Sequence, residues 1–421
     1  MNRRQMMMIS ATGATGAALT LGSQSAQPSP AQMTPNTALG TTPDTLLLKD
    51  FRPRSLYRIP ITPITKAKYP VIDFHNIGLD WTPPPSGRAN GLHWMVPPGS
   101  VDEAVKAMDD AGVEKAVVSG EWAPTPEEFS YFREIYSKYP DRFDIFCTFD
   151  LRAVNEPGFA QKAIKSLDEC HRLGALGVGE LTDKGAGMET GLGVMTPGEG
   201  KEGRRPPALG WSFKGAPHLD DDRLDPVVER CGQLGMPVLF HIADPFWSFQ
   251  PIDNTNERFL DAYDWQVKVT PGMQDFEGMV GVLERAVSKH PSTTFVAAHY
   301  ADQCHDFARL ARLLDRYPNF YVETSARFAT ISTIPRIAAR FFQGYADRIL
   351  YATDFSLYNP ETLRTTFRVL ETSDDHFYPP GRFENDTWPL YGLGLPDAVL
   401  RKVYRDNALN LLKRARDAAK A

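Results

Sequence analysis

Short apolar runs alternate along the chain with longer stretches whose apolar residues recur every three or four positions. The runs are Val71–Ile77, Ala116–Ser119, Phe143–Phe149, Ala175–Leu181, Pro237–Ile242, Thr294–His299, Phe320–Thr324 and Ile349–Thr353. They are rich in Val, Ile, Phe and Ala, as strands buried on both faces of a parallel sheet are. Between them, Val101–Ala111, Phe129–Tyr139, Phe159–Leu173, Leu224–Leu234, Met279–Lys289, Phe307–Tyr317 and Ile334–Tyr345 carry the helical period. Gly112, Gly174 and Gly235 stand where helices should stop, and Pro140, Pro291 and Pro318 serve the same end. Glu361–Thr372 supplies an eighth helix, and Pro396–Leu412 one more for the outside. Eight strands with eight crossovers predict an α/β fold of the closed (β/α)8 TIM-like barrel type rather than an open doubly wound sheet.

The connections are uneven. Segments leading into strands are short, but those after the fourth and fifth strands run to roughly forty and thirty residues before the next helix. Such insertions lie at the carboxyl face of a barrel, where active sites are built. They carry Trp211, His218, Trp247 and Trp265, candidate walls and lid for a pocket.

The chain has 421 residues, and its start reads differently from the rest. Arg3 and Arg4 open a basic region, an uncharged and mildly apolar run follows from Met6 to Leu21, and small residues from Ser23 to Ala26 suit a signal peptidase. This predicts a twin-arginine signal peptide over residues 1–26 and export to the periplasm or outside, in the folded state. Residues 27–60 then form a flexible linker and residues 61–421 the barrel with its C-terminal helix. A net charge of −6 without a basic stripe argues against nucleic acid as a partner, and no later run is long enough to span a membrane. The expected partner is a small-molecule substrate, with a homodimer as the commonest assembly for such barrels. Cys147, Cys170, Cys231 and Cys304 are widely spaced without a C-x-x-C pair and read as buried free thiols, although an oxidising compartment would permit a disulfide.

Polar residues break the apolar pattern where strands end. Asp73 and His75 lie on the first strand, Glu180 closes the fourth, His241 the fifth, His299 the sixth and Asp354 the eighth. Imidazole and carboxylate donors delivered to one mouth are what Zn²⁺, Mn²⁺ or Fe²⁺ sites use. Other readings stay open: a hydrogen-bonded core position for any of the histidines, a helix cap for Asp354 beside Ser356, and an ion pair to Lys184 or Arg327 for Glu180. Arg327 could seat a substrate carboxylate or pair with Glu180 or Glu323. His93, His171, His218, His290, His305 and His376 fall in helices or loops, and the sequence alone singles out none of them as a ligand or catalytic residue.

Val-Ile-Asp-Phe-His-Asn at the first strand, His241, Ala-Ala-His-Tyr around His299, Ile-Leu-Tyr-Ala-Thr-Asp ending at Asp354 and the tail Leu395–Ala408 together resemble the amidohydrolase-2 branch of the amidohydrolase superfamily. The likeness implies a (β/α)8 barrel with a mono- or binuclear divalent metal site; one ion per chain is expected, zinc ahead of manganese or iron. It makes His75 and His241 ligands, Asp354 a ligand and proton acceptor, and His299 the residue that positions or protonates substrate or water. The sequence departs at Ile77, where the branch usually has a second histidine. Glu180 could complete the coordination instead, Asp73 and His75 could form the pair in a shifted register, or the site could have lost its metal. The implied activity is hydrolysis of a C–O or C–N bond in an ester, lactone or amide, with His299 steadying the oxyanion. Alternatives are non-oxidative decarboxylation of a carboxylic acid and a metal-free ligand-binding barrel. Trp247 and Arg327 are the candidate substrate contacts.

Overall fold

The computed structural model describes residues 44–77, 100–120, 123–188, 215–354, 360–379 and 388–418. The expected signal segment, Trp211, His93 and Ser356 lie outside the described residues. The described residues up to Phe51 form one unit, in which Leu48–Asp50 make a single 3-10 turn, and those from Arg52 onward form the other.

In the larger unit eight strands follow in order: β1 (Val71–Asn76), β2 (Val113–Val118), β3 (Phe143–Ile145), β4 (Val178–Asp183), β5 (Val238–Ile242), β6 (Phe295–Ala297), β7 (Phe320–Glu323) and β8 (Ile349–Leu350). All pairings are parallel, in one sheet of β1-β2-β3 and another running β4 to β8. Two seams join them. Cys147 bridges to Val178 in parallel between β3 and β4, supported by Cys147 N to Gly177 O and Gly179 N to Cys147 O at 3.0 Å each. Between β1 and β8, Phe74 N donates to Tyr351 O at 2.9 Å. The carboxylate of Asp73 adds bonds to Thr353 N at 2.9 Å and Thr353 Oγ1 at 2.7 Å. The two sheets thus close on each other as a (β/α)8 barrel.

The helices are α1 (Val101–Ala111), α2 (Pro126–Ile135), α3 (Phe159–Arg172), α4 (Asp225–Gln233), α5 (Phe259–Asp264), α6 (Phe276–Lys289), α7 (Phe307–Arg316), α8 (Phe328–Ser332), α9 (Pro335–Gly344), α10 (Pro360–Glu371), α11 (Asp397–Arg401) and α12 (Asn407–Ala418). Helix α1 shows how closely local chemistry sets the bounds. Ser100 and Glu103 form a reciprocal capping box at its start, and Gly112, at φ 88°, supplies the left-handed stop. The C-terminal segment turns from α11 through a π-type turn at Lys402–Asp406 into α12, where the sequence predicted one uninterrupted helix. No described helix is long and apolar enough to cross a membrane.

Several strand ends differ from the sequence reading: β3 stops at Ile145 and β8 at Leu350, four residues before Asp354. β4 continues past Glu180 to Asp183, and β6 stops at Ala297, two residues before His299. The early stop of β6 has a backbone cause. His299, Tyr300, Ala301 and Asp302 all adopt left-handed φ values between 53° and 59°. Ala243, Ala326 and Asp354, just beyond β5, β7 and β8, do likewise. Non-glycine residues disfavour this region by about 1 kcal/mol or more each, and such strain concentrates where the fold holds side chains for a purpose.

Candidate active site

β1 delivers His75, β4 Glu180 and β5 His241, while the strained turns after β6 and β8 deliver His299 and Asp354. His75 Nε2 lies 3.6 Å from Glu180 Oε2 and 3.5 Å from Asp354 Oδ1. His241 Nδ1 lies 3.1 Å from Glu180 Oε1 and 3.2 Å from His299 Nε2. Asp354 Oδ2 is 3.8 Å from His299 Nε2. Two sets, His75–Glu180–Asp354 and Glu180–His241–His299, each place donor atoms within 4.8 Å of one another, and Glu180 belongs to both.

Hydrogen bonds fix which nitrogen of each ring faces this space. His75 Nδ1 donates to Glu323 Oε1 at 3.0 Å, so its Nε2 lone pair is turned to Glu180 and Asp354. His299 Nδ1 is 3.0 Å from the Ser325 carbonyl, which can only accept, and 2.8 Å from Ser325 Oγ. Nδ1 therefore carries the proton and Nε2 presents a lone pair. This revises the expectation that His299 donates to a developing oxyanion, because at the site it is an acceptor.

The charges around these atoms are unbalanced. Among the described residues, the polar contacts of Glu180, Glu323 and Asp354 run to the histidines and Ser325 rather than to a lysine or arginine. Burial opposes a charged His75 ring, yet Glu180 and Asp354 outweigh it and hold its pKa well above the ordinary value. At His241, burial and Lys184 work against the proton, but Asp244 and Glu180 win and raise the pKa to about 9. His299 is held well below the ordinary range by burial and by neighbouring His241 and Arg327. Asp354 is pushed up to about 6 by burial, against the pull of His75.

The donor set fits a divalent cation. Nitrogen and carboxylate oxygens converge, carboxylates exceed cations, and protons on His75 and His241 compete for the same lone pairs a metal would use. His241 Nε2 is buried without a hydrogen-bond partner, 3.6 Å from Asp302 Oδ2 and 3.8 Å from Asp244 Oδ1. Coordination through Nδ1 would leave a proton on Nε2, facing those two carboxylates.

The remaining candidates sit elsewhere. Asp73 is fully buried and engaged with Thr353 and with Asn76 Nδ2 at 3.1 Å, so it belongs to the barrel seam and the shifted pairing with His75 is not formed. Ile77 is buried. Arg327 pairs with Asp302 at 2.5 Å and donates to its neighbour's carbonyl, Ala326 O, at 2.6 Å. It meets neither Glu180 nor Glu323, and its bonds to Asp302 leave it a poor seat for a substrate carboxylate. Lys184 is likewise held by Asp244 at 2.6 Å, with its ammonium 5.0 Å from the Trp265 ring. Trp247 donates Nε1 to Asp261 at 3.1 Å. The guanidinium of Arg258 lies between the rings of Trp247 and Trp388, at 4.4 and 4.0 Å. His218 bonds Asp183 at 2.7 Å. Sequence reasoning missed Glu323, Ser325 and Asp302 as parts of the site. A carboxylate closing an apolar strand run, the rule that found Glu180, would have found Glu323 as well.

A parallel barrel with a histidine–carboxylate centre at the carboxyl ends of its strands defines a metal-dependent enzyme class, and the sequence comparison agrees. The amidohydrolase family model matches residues 199–414, just over half the chain, and the protein belongs to that family. No curated protein matches. Among solved structures, 2,6-dihydroxybenzoate decarboxylase from Rhizobium is 18% identical with a TM-score of 0.48, covering 82% of this chain and 99% of its own. A 5-carboxyvanillate decarboxylase from Novosphingobium aromaticivorans, complexed with manganese and 4-hydroxy-3-methoxy-5-nitrobenzoic acid, is 16% identical with a TM-score of 0.48, covering 84% and 100%. An uncharacterized TIM-barrel protein from Bordetella bronchiseptica is 16% identical with a TM-score of 0.47, covering 82% and 99%.

Proposed function

We propose that the protein is a metal-dependent hydrolase cleaving a C–O or C–N bond in an ester, lactone or amide of a small molecule. The carrying observation is that two donor sets, His75–Glu180–Asp354 and Glu180–His241–His299, meet at Glu180, with Asp354 Oδ2 3.8 Å from His299 Nε2. His75, Glu180, His241 and Asp354 would hold one divalent ion, with zinc favoured and manganese or iron as alternatives. Such an ion, when bound, supplies Lewis acidity that polarises a carbonyl and acidifies water. Asp354 is the most exposed of the set, its side chain 23% accessible against 9% for Glu180 and 1% for His75. It is therefore the group best able to take a proton from attacking water and pass it to the leaving group. His299 accepts a hydrogen bond from water or substrate through Nε2 and orients it.

The pairing of Lys184 with Asp244 and of Arg327 with Asp302 supports hydrolysis over decarboxylation, since a carboxylate substrate would have to displace an existing partner from either cation. Turnover in ¹⁸O-labelled water tests the reading: incorporation of label into a new acid group is expected. Release of carbon dioxide without label would assign the decarboxylase alternative, and stoichiometric ligand binding without turnover or metal the metal-free one. We also propose export by the twin-arginine route, on the strength of Arg3, Arg4 and the uncharged run after them, which sequencing the mature N-terminus would check.

A further inference from the structure

One buried carboxylate touches three parts of the centre. Glu323, at the end of β7, is completely inaccessible to solvent. Its Oε1 accepts from His75 Nδ1 at 3.0 Å, from Ser325 Oγ at 2.7 Å and from the backbone N of His299 at 3.3 Å, and its Oε2 accepts from Ser325 N at 2.5 Å. Ser325 in turn receives His299 Nδ1 on both its hydroxyl and its carbonyl oxygen. Four donors thus meet the two oxygens of one side chain.

We infer that Glu323 is the positioning residue of this centre, fixing the rings of His75 and His299 so that the Nε2 atoms of both face the shared space. The inference builds on the metal-site reading above, but the geometry behind it needs no ion. Through His75 it acts on a ligand, because the bonded Nδ1 sets both ring orientation and donor atom. Through Ser325 it acts on His299, which sits in the strained turn after β6 and has no strand bonds to hold it. A glutamine at 323 would retain the volume but replace Oε2 with an NH₂ facing the N–H of Ser325.

The test uses the whole chain, ¹⁵N-labelled at histidine, as wild type, Glu323→Gln and Ser325→Ala. In metal-free protein, Nδ1 of His75 and of His299 should each carry a proton, with Nε2 of His299 bare. Glu323→Gln should move both sets of resonances and Ser325→Ala those of His299 alone. Zinc affinity, read by competition with a chromophoric chelator, should fall about 10–100-fold in Glu323→Gln. Wild-type affinity in that variant, or unmoved His75 and His299 signals, would overturn the inference. Should Glu323→Gln fail to fold, Ser325→Ala decides: unchanged His299 resonances count against the network. If wild type binds no zinc, the hydrolase reading fails, while the metal-free spectra still decide the role of Glu323.

Discussion

His241 stands between two groups of carboxylates, Glu180 on its Nδ1 side and Asp244 with Asp302 on its Nε2 side. Replacing it by alanine removes a donor and leaves three buried acids facing a void. His241→Ala should lose stoichiometric metal, and Asp354→Asn should lower turnover by orders of magnitude; elemental analysis and kcat measure the two. Retention of full metal content and activity in both would refute the site. His218 illustrates a different residue-level role, because it faces Asp183 rather than the centre. Its bond to Asp183 raises its pKa although burial opposes the charge. Since the folded value exceeds the unfolded one, its contribution is complete below about pH 6.5 and disappears as pH rises through the folded value. His218→Gln should therefore cost about 1 kcal/mol more at pH 6 than above the folded value, by urea denaturation.

At the scale of elements, the strand ends were harder to read than the strands. Eight apolar runs and the glycine stops are local signals, so all eight strands and the bounds of α1 were legible. His75, Glu180, His241, His299 and Asp354 were legible because one rule, a ligand-type residue at a strand terminus, picks them out. Asp302 and Ser325 were not, since they owe their place to left-handed turns after β6 and β7, and such backbone carries no apolar period. The partners of Arg327 and Lys184 were equally hidden, because choosing among several acids needs distances. The tight fit between strands leads to further predictions. Gly179 has φ 123°, and a Cβ there would fall on the backbone oxygen of Leu239 in β5. Gly179→Ala should push β4 from β5 beside Glu180, so soluble yield and metal content should fall together. Asp73→Ala would strip the β1–β8 seam of two side-chain acceptor bonds from Thr353 and leave Asn76 Nδ2 without its bond to Asp73, with an expected loss of about 3 kcal/mol in denaturant unfolding and no new metal-binding stoichiometry. A loss of metal alone, with stability intact, would return Asp73 to the ligand set.

For the whole molecule, the state of the cysteines connects the fold to the proposed route of export. Cys147 follows β3, Cys170 lies on α3, Cys231 on α4 and Cys304 beyond β6, and all four are buried reduced thiols. The neighbouring Cys170 thiol, with burial, holds the Cys147 thiol well above its ordinary pKa, and burial raises Cys231 to about 12. A protonated thiol without solvent access is a poor nucleophile, so oxidants outside the cell would meet no reactive sulfur. A chain that crosses a membrane already folded would carry these thiols shielded from the start, whereas one threaded unfolded would expose them to disulfide formation before the barrel closes. Titration of the mature, exported protein with an aromatic disulfide reagent, without added reductant, separates the two histories. The native protein should react with none of its thiols within minutes, and the protein in guanidinium should release all four. Fewer than four in denaturant would mean that a disulfide had formed and that folding came after transport. Rapid reaction in the native state would mean that the barrel opens far more readily than its buried seams imply.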